Sequence, residues 1–251
     1  MPTLHVHYLP QFVGEHELAD AAVVVIDLLR ASTTLCHALA AGAQDVVPHV
    51  EVDAVFAAAS AYQRSDVLLG GERQGKTITG FDLGNSPTEY TPDVVFGKRI
   101  LFTTTNGTRA IEHARLACRV VIGAAANASA VAQMLVEEQS IHLLCAGTNG
   151  HVSRDDQLAA GAIADRLTKA VSFATNESAE RTIGEWQELT STAQALGRSP
   201  SEQLALELKG TPGGKNLLAI DHDDDLVTCA QVDSKPVVPE LDREAGCLRL
   251  Q

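Results

Sequence analysis

The chain has 251 residues, of which 45% are hydrophobic, 20% are charged and only 4% are aromatic. These proportions are ordinary for a folded soluble protein, and we expect one domain over residues 1–251, with a possible subdivision near 170–200. The net charge of −13 argues against partners that require a basic face, which excludes broad nucleic-acid binding and attachment to anionic membrane surfaces.

Short apolar runs alternate with helical patterns from about residue 20 to about residue 170. The runs that we interpret as strands are VVVID (23–27), DVVPH (45–49), DVLLG (66–70), KRILFTT (98–104), RVVIG (119–123) and IHLLC (141–145), and TLHVHYLP near the start could add an edge strand. Helical patterns lie between them at about 32–42, 52–63, 107–117, 127–138 and 156–169. Continuous apolar runs are typical of strands that are covered on both sides. We therefore expect a mostly parallel or mixed sheet with helices on both faces, a three-layer α/β/α fold.

The first of these runs ends in an acidic residue, Asp27, and Arg30 follows three residues later. A carboxylate at the end of a buried strand is desolvated, which is costly unless the carboxylate serves a metal, a helix or a cation. Asp27 is therefore a candidate functional residue, and the alternative is a structural ion pair with Arg30.

Residues 71–97 interrupt the alternation with a loop that contains five glycines and two prolines. A long loop inside a compact domain is usually functional, and this one carries Glu72, Arg73, Asn85 and Ser86. The segment GGERQGKT (70–77) matches the P-loop pattern, which requires a helix that begins at its Lys-Thr pair. The glycines and proline of the following ITGFDLGNSP disfavour a helix, so we reject a P-loop NTPase.

Three predicted strand-to-helix turns are rich in Ser, Thr, Asn and Gly, namely those that follow the runs at 23–27, 98–104 and 141–145. A helix N-terminus with unpaired N–H groups is a ready anion site, and parallel strands would place all three turns at one edge of the sheet. The alternative for any single turn is that these side chains only cap a helix. The candidate anion-binding residues in these turns are Thr33, Thr34, Thr104, Thr105, Asn106, Gly107, Thr108, Arg109 and Gly147.

The Asn106-Gly107 pair in the second turn has two interpretations. Asn-Gly permits a left-handed backbone, which would turn the chain into a helix and expose successive N–H groups to an anion. Asn-Gly is also a strong hairpin signal. The following TRAIEHARLA lacks strand alternation and contains good helix formers, so we expect a helix and a positive φ at Gly107.

The chain becomes more polar after about residue 170. Before that point, Asp155 and Asp156 open the predicted fifth helix, where acids often only complement the helix dipole. Further on, SPSEQLALELKG predicts a helix with a capping box between Ser199 and Glu202 and with Gly210 just past its end. The segment LLAIDHDDDLVTCAQV is interpreted as a turn between a helix or strand and a last strand.

Four segments together resemble the 2-phosphosulfolactate phosphatase (ComB) family. They are VIDLLRASTT, GERQGKTITGFDLGNSPTEY, TTTNGTRAI and CAGTNG…RDDQLAAG, in the family's order, and the similarity continues weakly through GKNLLAIDHDDDLVTCAQVD…VP. Where the family pattern has Glu-Asp before the helix, this chain has Asp155-Asp156. The stretch 171–198 carries no family signature.

The resemblance implies a Mg²⁺-dependent phosphatase that converts 2-phospho-3-sulfolactate to 3-sulfolactate and phosphate, a step of coenzyme M biosynthesis. Such a substrate carries three anionic groups, for which Arg30, Arg73, Arg109 and Arg154 are suitable forked donors. Asp27, Glu72 and Asp156 are the carboxylates best placed to hold Mg²⁺. We assign catalytic roles to Asp27, Arg30, Glu72 and Arg73, and substrate contacts to Asn85 and Ser86 as well as to the turn residues named above. The attacking group is left open among water, Asp27 and Cys145.

Two further expectations concern alternatives and compartment. The alternative function is a non-catalytic binder of small phosphates or sulfonates, which would have no use for Asp27 and Glu72 beside its arginines. The five cysteines are widely spaced and contain no C-x-x-C, which excludes a disulfide framework and a zinc knuckle. We recognise no signal sequence and no apolar span, so we expect a protein of the reducing cytoplasm. A homodimer is the oligomeric state that we predict.

Overall fold

The computed structural model describes all residues from Met1 to Gln251, and one eleven-stranded sheet lies at its centre. The strands are β1 Thr3–His7, β2 Ala22–Ile26, β3 Asp45–Pro48, β4 Val67–Arg73, β5 Lys76–Thr77, β6 Arg99–Thr103, β7 Arg119–Gly123, β8 Ser140–Cys145, β9 Ala174–Thr175, β10 Glu240–Asp242 and β11 Cys247–Arg249. Their spatial order is β5-β4-β6-β3-β11-β10-β7-β2-β8-β1-β9.

The sheet is mixed, because an antiparallel hairpin separates two parallel blocks. One block contains β4, β6 and β3, and the other contains β7, β2, β8 and β1. The hairpin of β10 and β11 lies between them, where β10 pairs antiparallel with β7 and β11 pairs antiparallel with β3. The predicted mixed sheet is confirmed.

Helices cover both faces of the sheet. They are α1 Ala31–Ala40, α2 Val52–Ala59, α3 Pro92–Val95, α4 Gly107–His113, α5 Ala128–Leu135, α6 Arg154–Ala170, α7 Glu177–Ala195, α8 Pro200–Gly210, α9 Pro212–Leu218 and α10 Asp223–Cys229. Helices α5 to α10 contribute to a core on one face, where Val24 and Leu143 of the sheet also lie. Helices α1, α3 and α4 contribute to a second core with Val23 and Val25, so the three-layer prediction is confirmed.

The segment that matches the P-loop pattern is a β-hairpin. Strand β4 continues through Gly70 and Glu72 and then pairs with β5, with Glu72 opposite Thr77. The two turn residues, Gln74 and Gly75, have φ values of 53° and 77°, which match the turn type that two-residue hairpins favour. Lys76 and Thr77 therefore lie in a strand and open no helix, as expected from the sequence.

The C-terminal third confirms two predictions and corrects two. The capping box forms, with Ser199 Oγ accepting the Glu202 N–H at 3.2 Å and Glu202 Oε2 accepting the Ser199 N–H at 2.7 Å. Gly210 is the last residue of α8 and does not lie beyond it, because Thr211 caps both α8 and the following α9. At LLAIDHDDDLVTCAQV the predicted turn forms after helix α9, but the predicted last strand is wrong, because Leu226 and Cys229 are buried on one side of a short helix, α10.

None of the ten helices combines the length and the hydrophobicity that a bilayer-spanning segment requires.

Candidate active site

An open cleft with a volume of ≈ 360 Å³ lies where β2, β4, β6 and β8 end. Of the residues predicted from the sequence, the cleft is lined by Asp27, Arg30, Glu72, Asn85, Thr105 and Asn106. It is also lined by residues that the sequence analysis did not single out as site residues, namely Leu29, Gln74, Gly75, Thr148, Asn149, Gly213, Asn216, Leu217, Ala219 and Ile220. The ligand cleft is therefore at the carboxyl edge of parallel strands, as in other open α/β sheets.

Asp27 presents its carboxylate to this cleft from the end of β2. Ser32 Oγ accepts the Asp27 N–H at 2.9 Å and donates to the Val25 carbonyl, which holds the turn into α1. The Ala31 N–H and the charge of Arg30 act on this carboxyl group and lower its pKa, but they do not outweigh the opposing effects. Burial, then the charges of Glu72 and Asp155, raise the pKa of Asp27 to about 7. Arg30, the cation that lowers this pKa, forms its ion pair with Asp225 and not with Asp27.

Glu72 joins the β4–β5 hairpin to the turn after β6. Its Oε1 accepts the Thr105 N–H at 2.7 Å, and its Oε2 accepts the Gly75 N–H at 2.6 Å. Glu72 is buried, yet it lines the cleft beside Asp27. The N–H of Thr105, predicted to bind an anion, is therefore used inside the protein.

Arg30 is the only arginine that lines the cleft, and a second acid holds it in place. Its Nη1 donates to Asp225 Oδ2 at 2.6 Å, and its Nη2 donates to the Gly75 carbonyl at 2.8 Å. Asp225 also accepts the Ser86 hydroxyl at 2.5 Å. The structural alternative of an Arg30–Asp27 ion pair is replaced by a buried pair of Arg30 with Asp225, from α10.

Neutral polar side chains form much of the remaining wall. Asn85, Asn106, Asn149 and Asn216 bring amide groups from four separate segments. Asn85 Oδ1 and Thr105 Oγ1 are buried and have no hydrogen-bond partner in the protein. Buried polar atoms are rarely left unpaired, so these two oxygens indicate a place for a ligand.

Several predicted contact residues lie outside the cleft and support its walls. Thr33 donates to the Leu28 carbonyl, Thr34 donates to the Asn85 carbonyl, and the Thr104 and Thr108 hydroxyls exchange hydrogen bonds with each other's backbone. Their hydroxyls are therefore committed to internal bonds. None of these four threonines lines the cleft, and no side chain caps the N-terminus of α1 or α4, so their hydroxyls hold the turns together by internal bonds.

The remaining predicted arginines do not line the cleft either. Arg73 donates to the Glu72 and Val50 carbonyls and to Thr103 Oγ1, which ties β4 to β6. Arg109 is 65% exposed and 4.0 Å from Glu51. Arg154 pairs with Glu185 and Glu207 on the surface. The sequence placed these residues near the right strand ends, but their side chains turn away from the cleft.

Asp156 clamps two turns together. Its Oδ1 accepts the Leu28 N–H and its Oδ2 accepts the Gly147 N–H, both at 2.8 Å. Asp156 is buried and does not line the cleft, and burial followed by the charges of Asp155 and Asp27 raises its pKa well above the ordinary value. Its two oxygens position the ends of β2 and β8, and because Asp156 does not line the cleft, it is not placed to hold an ion there, unlike Glu72. Gly147 likewise belongs to this clamp and not to the cleft wall.

Gly107 is required by close packing and not by a left-handed backbone. Its φ is not positive, contrary to the sequence expectation, although the predicted helix does form. A Cβ at this position would lie 2.7 Å from Ala31 Cβ and 2.8 Å from Asp27 Oδ2. The absence of a side chain lets the start of α4 approach the Asp27 carboxylate.

Cys145 has the wrong surroundings for a nucleophile. It is fully buried and does not line the cleft. Burial, then the charges of Asp156 and Asp155, raise the pKa of its thiol well above the ordinary value. Since the thiolate is the reactive form, Cys145 is removed from the candidates for the attacking group.

The donors around Asp27 could hold a hard divalent cation. Asp27 and Glu72 line the cleft, Asp155 raises the pKa of Asp27 electrostatically, and the one arginine present is already paired. The unpartnered oxygens of Asn85 and Thr105 add neutral hard donors. Carboxylate, amide and hydroxyl oxygens are the ligands that Mg²⁺ prefers, so the donor set fits such an ion.

Comparison with known proteins supplies an independent finding. Residues 7–244 match the family described as 2-phosphosulpholactate phosphatase. The chain is 40% identical over 248 residues to a probable 2-phosphosulfolactate phosphatase from Synechococcus sp. (strain RCC307), covering 96% of each chain. Proteins of the same description from Parasynechococcus marenigrum and Symbiobacterium thermophilum are each 41% identical, and they are covered over 90% and 92% of their lengths.

Proposed function

Because the chain belongs to the 2-phosphosulpholactate phosphatase family, we propose that its cleft hydrolyses 2-phosphosulfolactate to sulfolactate and inorganic phosphate. The observation that supports this assignment is the Asp27 carboxyl group, which is buried, lines the cleft and forms no ion pair with Arg30. A pure anion-binding protein would gain nothing from such a carboxylate, since it repels the ligand. The three-carbon substrate and its anionic groups fit the small cleft.

The charge balance of the cleft supports a cation cofactor, which we propose to be Mg²⁺. The positive charge of Arg30 is already offset by Asp225, and the cleft adds the carboxyl groups of Asp27 and Glu72, so the cleft by itself does not attract a substrate with phosphate, sulfonate and carboxylate groups. Asp27 and Glu72 would hold the ion, together with the free oxygens of Asn85 and Thr105. Bound there, it would supply positive charge to the phosphoryl group and activate water.

The chain's own groups then bind and orient the substrate. Arg30 is held by Asp225 and the Gly75 carbonyl, which leaves further N–H groups of its guanidinium for a substrate oxyanion. The amides of Asn106, Asn149 and Asn216 can donate to sulfonate or carboxylate oxygens without adding charge. Because Cys145 is buried and Asp27 is proposed to hold the cation, we propose that water attacks phosphorus.

A substrate comparison tests this proposal. We expect phosphate release from 2-phosphosulfolactate to require added Mg²⁺ and to stop with excess chelator. The matched substrate is phospholactate, which lacks only the sulfonate. Without the sulfonate, the side-chain amides of the cleft wall lose a hydrogen-bond partner, which costs on the order of 1–3 kcal/mol. We therefore expect kcat/KM for phospholactate to be at least about tenfold lower. Calorimetric binding of 2-phosphosulfolactate without turnover, in the presence of Mg²⁺, would instead establish the non-catalytic alternative.

Gly107→Ala tests the close approach of α4 to Asp27. The new Cβ would meet Ala31 Cβ and Asp27 Oδ2 at under 3 Å, so the carboxylate must move. We expect kcat/KM to fall about a hundredfold, because displacements of about 1 Å at a reacting centre can cost this much. The control is Gly184→Ala in α7, where a Cβ meets nothing within 4 Å. Equal activities of the two variants would show that Asp27 does not depend on this packing.

The compartment that we propose is the reducing cytoplasm. All five cysteines are unpaired thiols in the structure, as expected for a protein that matures without an oxidising environment. The homodimer stays a prediction.

A further inference from the structure

Three histidines lie together on the sheet, away from the cleft described above. His5 and His7 are on β1, and His142 is on the neighbouring parallel strand β8, where it pairs in register with His5. Residues two apart on a strand share a face, so all three imidazoles project to the same side. One ring nitrogen from each lies within 4.8 Å of the other two. We call these residues the histidine cluster, and none of them lines the cleft.

The protonation of the cluster is constrained by its geometry. His7 Nε2 and His142 Nδ1 are 2.9 Å apart, a distance at which one nitrogen must lack its proton. Burial, as the largest cause for each, lowers the pKa of both His7 and His142 to about 4, in agreement with neutral rings. Neutral imidazole is the form that ligates metals.

Outside the cluster, hydroxyl groups orient the most buried ring. Ser140 Oγ lies 3.3 Å from His142 Nε2, and Thr3 Oγ1 donates to Ser140 Oγ at 3.3 Å. These hydrogen bonds occupy Nε2 of His142 and leave its Nδ1 directed at His7. A hydrogen bond on the second nitrogen is the arrangement that metal-binding histidines usually have.

We propose that the histidine cluster is a binding site for a transition-metal ion of the Zn²⁺ type, separate from the Mg²⁺ site of the cleft. Three imidazoles without a carboxylate or thiolate favour Zn²⁺, Co²⁺, Ni²⁺ or Cu²⁺ over Mg²⁺. Tetrahedral Zn²⁺ with bonds of about 2.0–2.1 Å spaces its nitrogens about 3.4 Å apart. That spacing lies between the 2.9 Å contact and the 4.8 Å limit, so small ring rotations suffice.

Access and charge suit an ion at this place. His5 and His7 are half-buried, which leaves an open side for a water ligand and for entry from solvent. Glu17 acts electrostatically on both His7 and His142, and it supplies a nearby negative charge for a divalent ion. Because His7 and His142 are 135 residues apart in the chain, the site exists only in the folded protein. Metal binding therefore stabilises the fold by joining β1 to β8.

Cobalt and zinc binding to the full chain tests the proposal. The protein is prepared without a polyhistidine tag and stripped with a chelator. We expect one equivalent of Co²⁺ to produce the strong visible absorption of a tetrahedral site, and one equivalent of Zn²⁺ to remove it. At Zn²⁺ about a hundredfold above Kd, we expect Tm to rise by roughly 5–10 °C.

Matched variants locate the ion. We expect His5→Gln to lose the Co²⁺ absorption and the Tm shift while keeping Mg²⁺-dependent phosphate release. The exposed His16→Gln and the cleft variant Asp27→Asn should both keep the absorption. Absence of the absorption in the unmodified chain, or its persistence in His5→Gln, would overturn the proposal. If circular dichroism shows that His5→Gln does not fold, His7→Gln is subject to the same two criteria.

Discussion

Asp27→Asn is expected to lower Mg²⁺-dependent phosphate release about a thousandfold or more, and to make the metal-free protein more stable at pH 8. The loss of activity follows from removing a charged ligand from a cation that supplies several kcal/mol of transition-state stabilisation. The gain in stability follows from the buried position of the carboxylate. The same substitution thus separates the functional role of Asp27 from its structural cost.

The pH dependence of that gain has a definite sign. Folding raises the pKa of Asp27 from 3.8 to about 7, so its contribution to stability is fully present below pH 3.8 and is lost as the pH rises through about 7. Asparagine has no proton to lose. The free energy of unfolding of the variant minus that of the unmodified protein should therefore be near zero at low pH and grow up to pH 8, with an upper limit on the order of 4 kcal/mol, and the difference in Tm should follow it.

Thermal melting in chelator from pH 4 to pH 8 measures this difference. Addition of Mg²⁺ should reduce the difference in Tm between the two proteins, because the ion stabilises the unmodified protein through the Asp27 carboxylate, which the variant lacks. Asp20→Asn, at an exposed position, is the control and should leave both melting and activity unchanged. A variant that releases phosphate at the normal rate would show that the cation is held elsewhere.

Asp225→Asn is expected to cost about 3–5 kcal/mol of folding free energy, because it leaves the buried Arg30 guanidinium without its counter-charge. For a chain of this size that is a fall in Tm of roughly 10 °C. Since Arg30 also contacts the cleft, we expect KM for the phosphoester to rise together with this loss. Asp225 does not line the cleft, so any effect on KM acts through Arg30 and Ser86.

The neighbouring Asp224 supplies the matched control. It precedes Asp225 in the first turn of α10 but is exposed. Asp224→Asn should change stability by no more than about 0.5 kcal/mol and leave KM unaltered. Calorimetric melting and steady-state kinetics on both variants test this. If the two variants behave alike, Arg30 does not depend on Asp225.

The sheet and most helices could be predicted because their signals are local. All six apolar runs form strands, and the run RVVIG corresponds to β7 residue for residue. The position of Asp27 at a strand end was also readable, since burial on both faces of β2 leaves an acid there without solvent. What is local in the chain, namely periodicity, capping and turn residues, was sufficient for these elements.

Roles that depend on distant partners could not be predicted. Asp156 occupies the same kind of position as Asp27, yet its oxygens accept amides from two turns, one of them 128 residues away. Asp225 and Asn216 reach the site on two short helices whose placement depends on packing against the core. The polar spacing of LLAIDHDDDLVTCAQV carries no signal for that placement. Arg73 and Arg109 show the converse case, in which the position was suitable and the side chain pointed elsewhere.

The hairpin of β10 and β11 affects how the protein must avoid aggregation while it is being made. Until this hairpin docks, β3 and β7 each present an open edge, and the buried valines Val46, Val120 and Val121 lie in these two strands. Open apolar edges pair readily with strands of other chains. The hairpin is synthesised after every other strand and helix, so both edges stay unpaired from the completion of β7 until the end of synthesis. Asp242, which accepts the Glu244 and Ala245 N–H groups at 3.0 Å, forms the turn locally and lets the hairpin close both edges soon after it emerges.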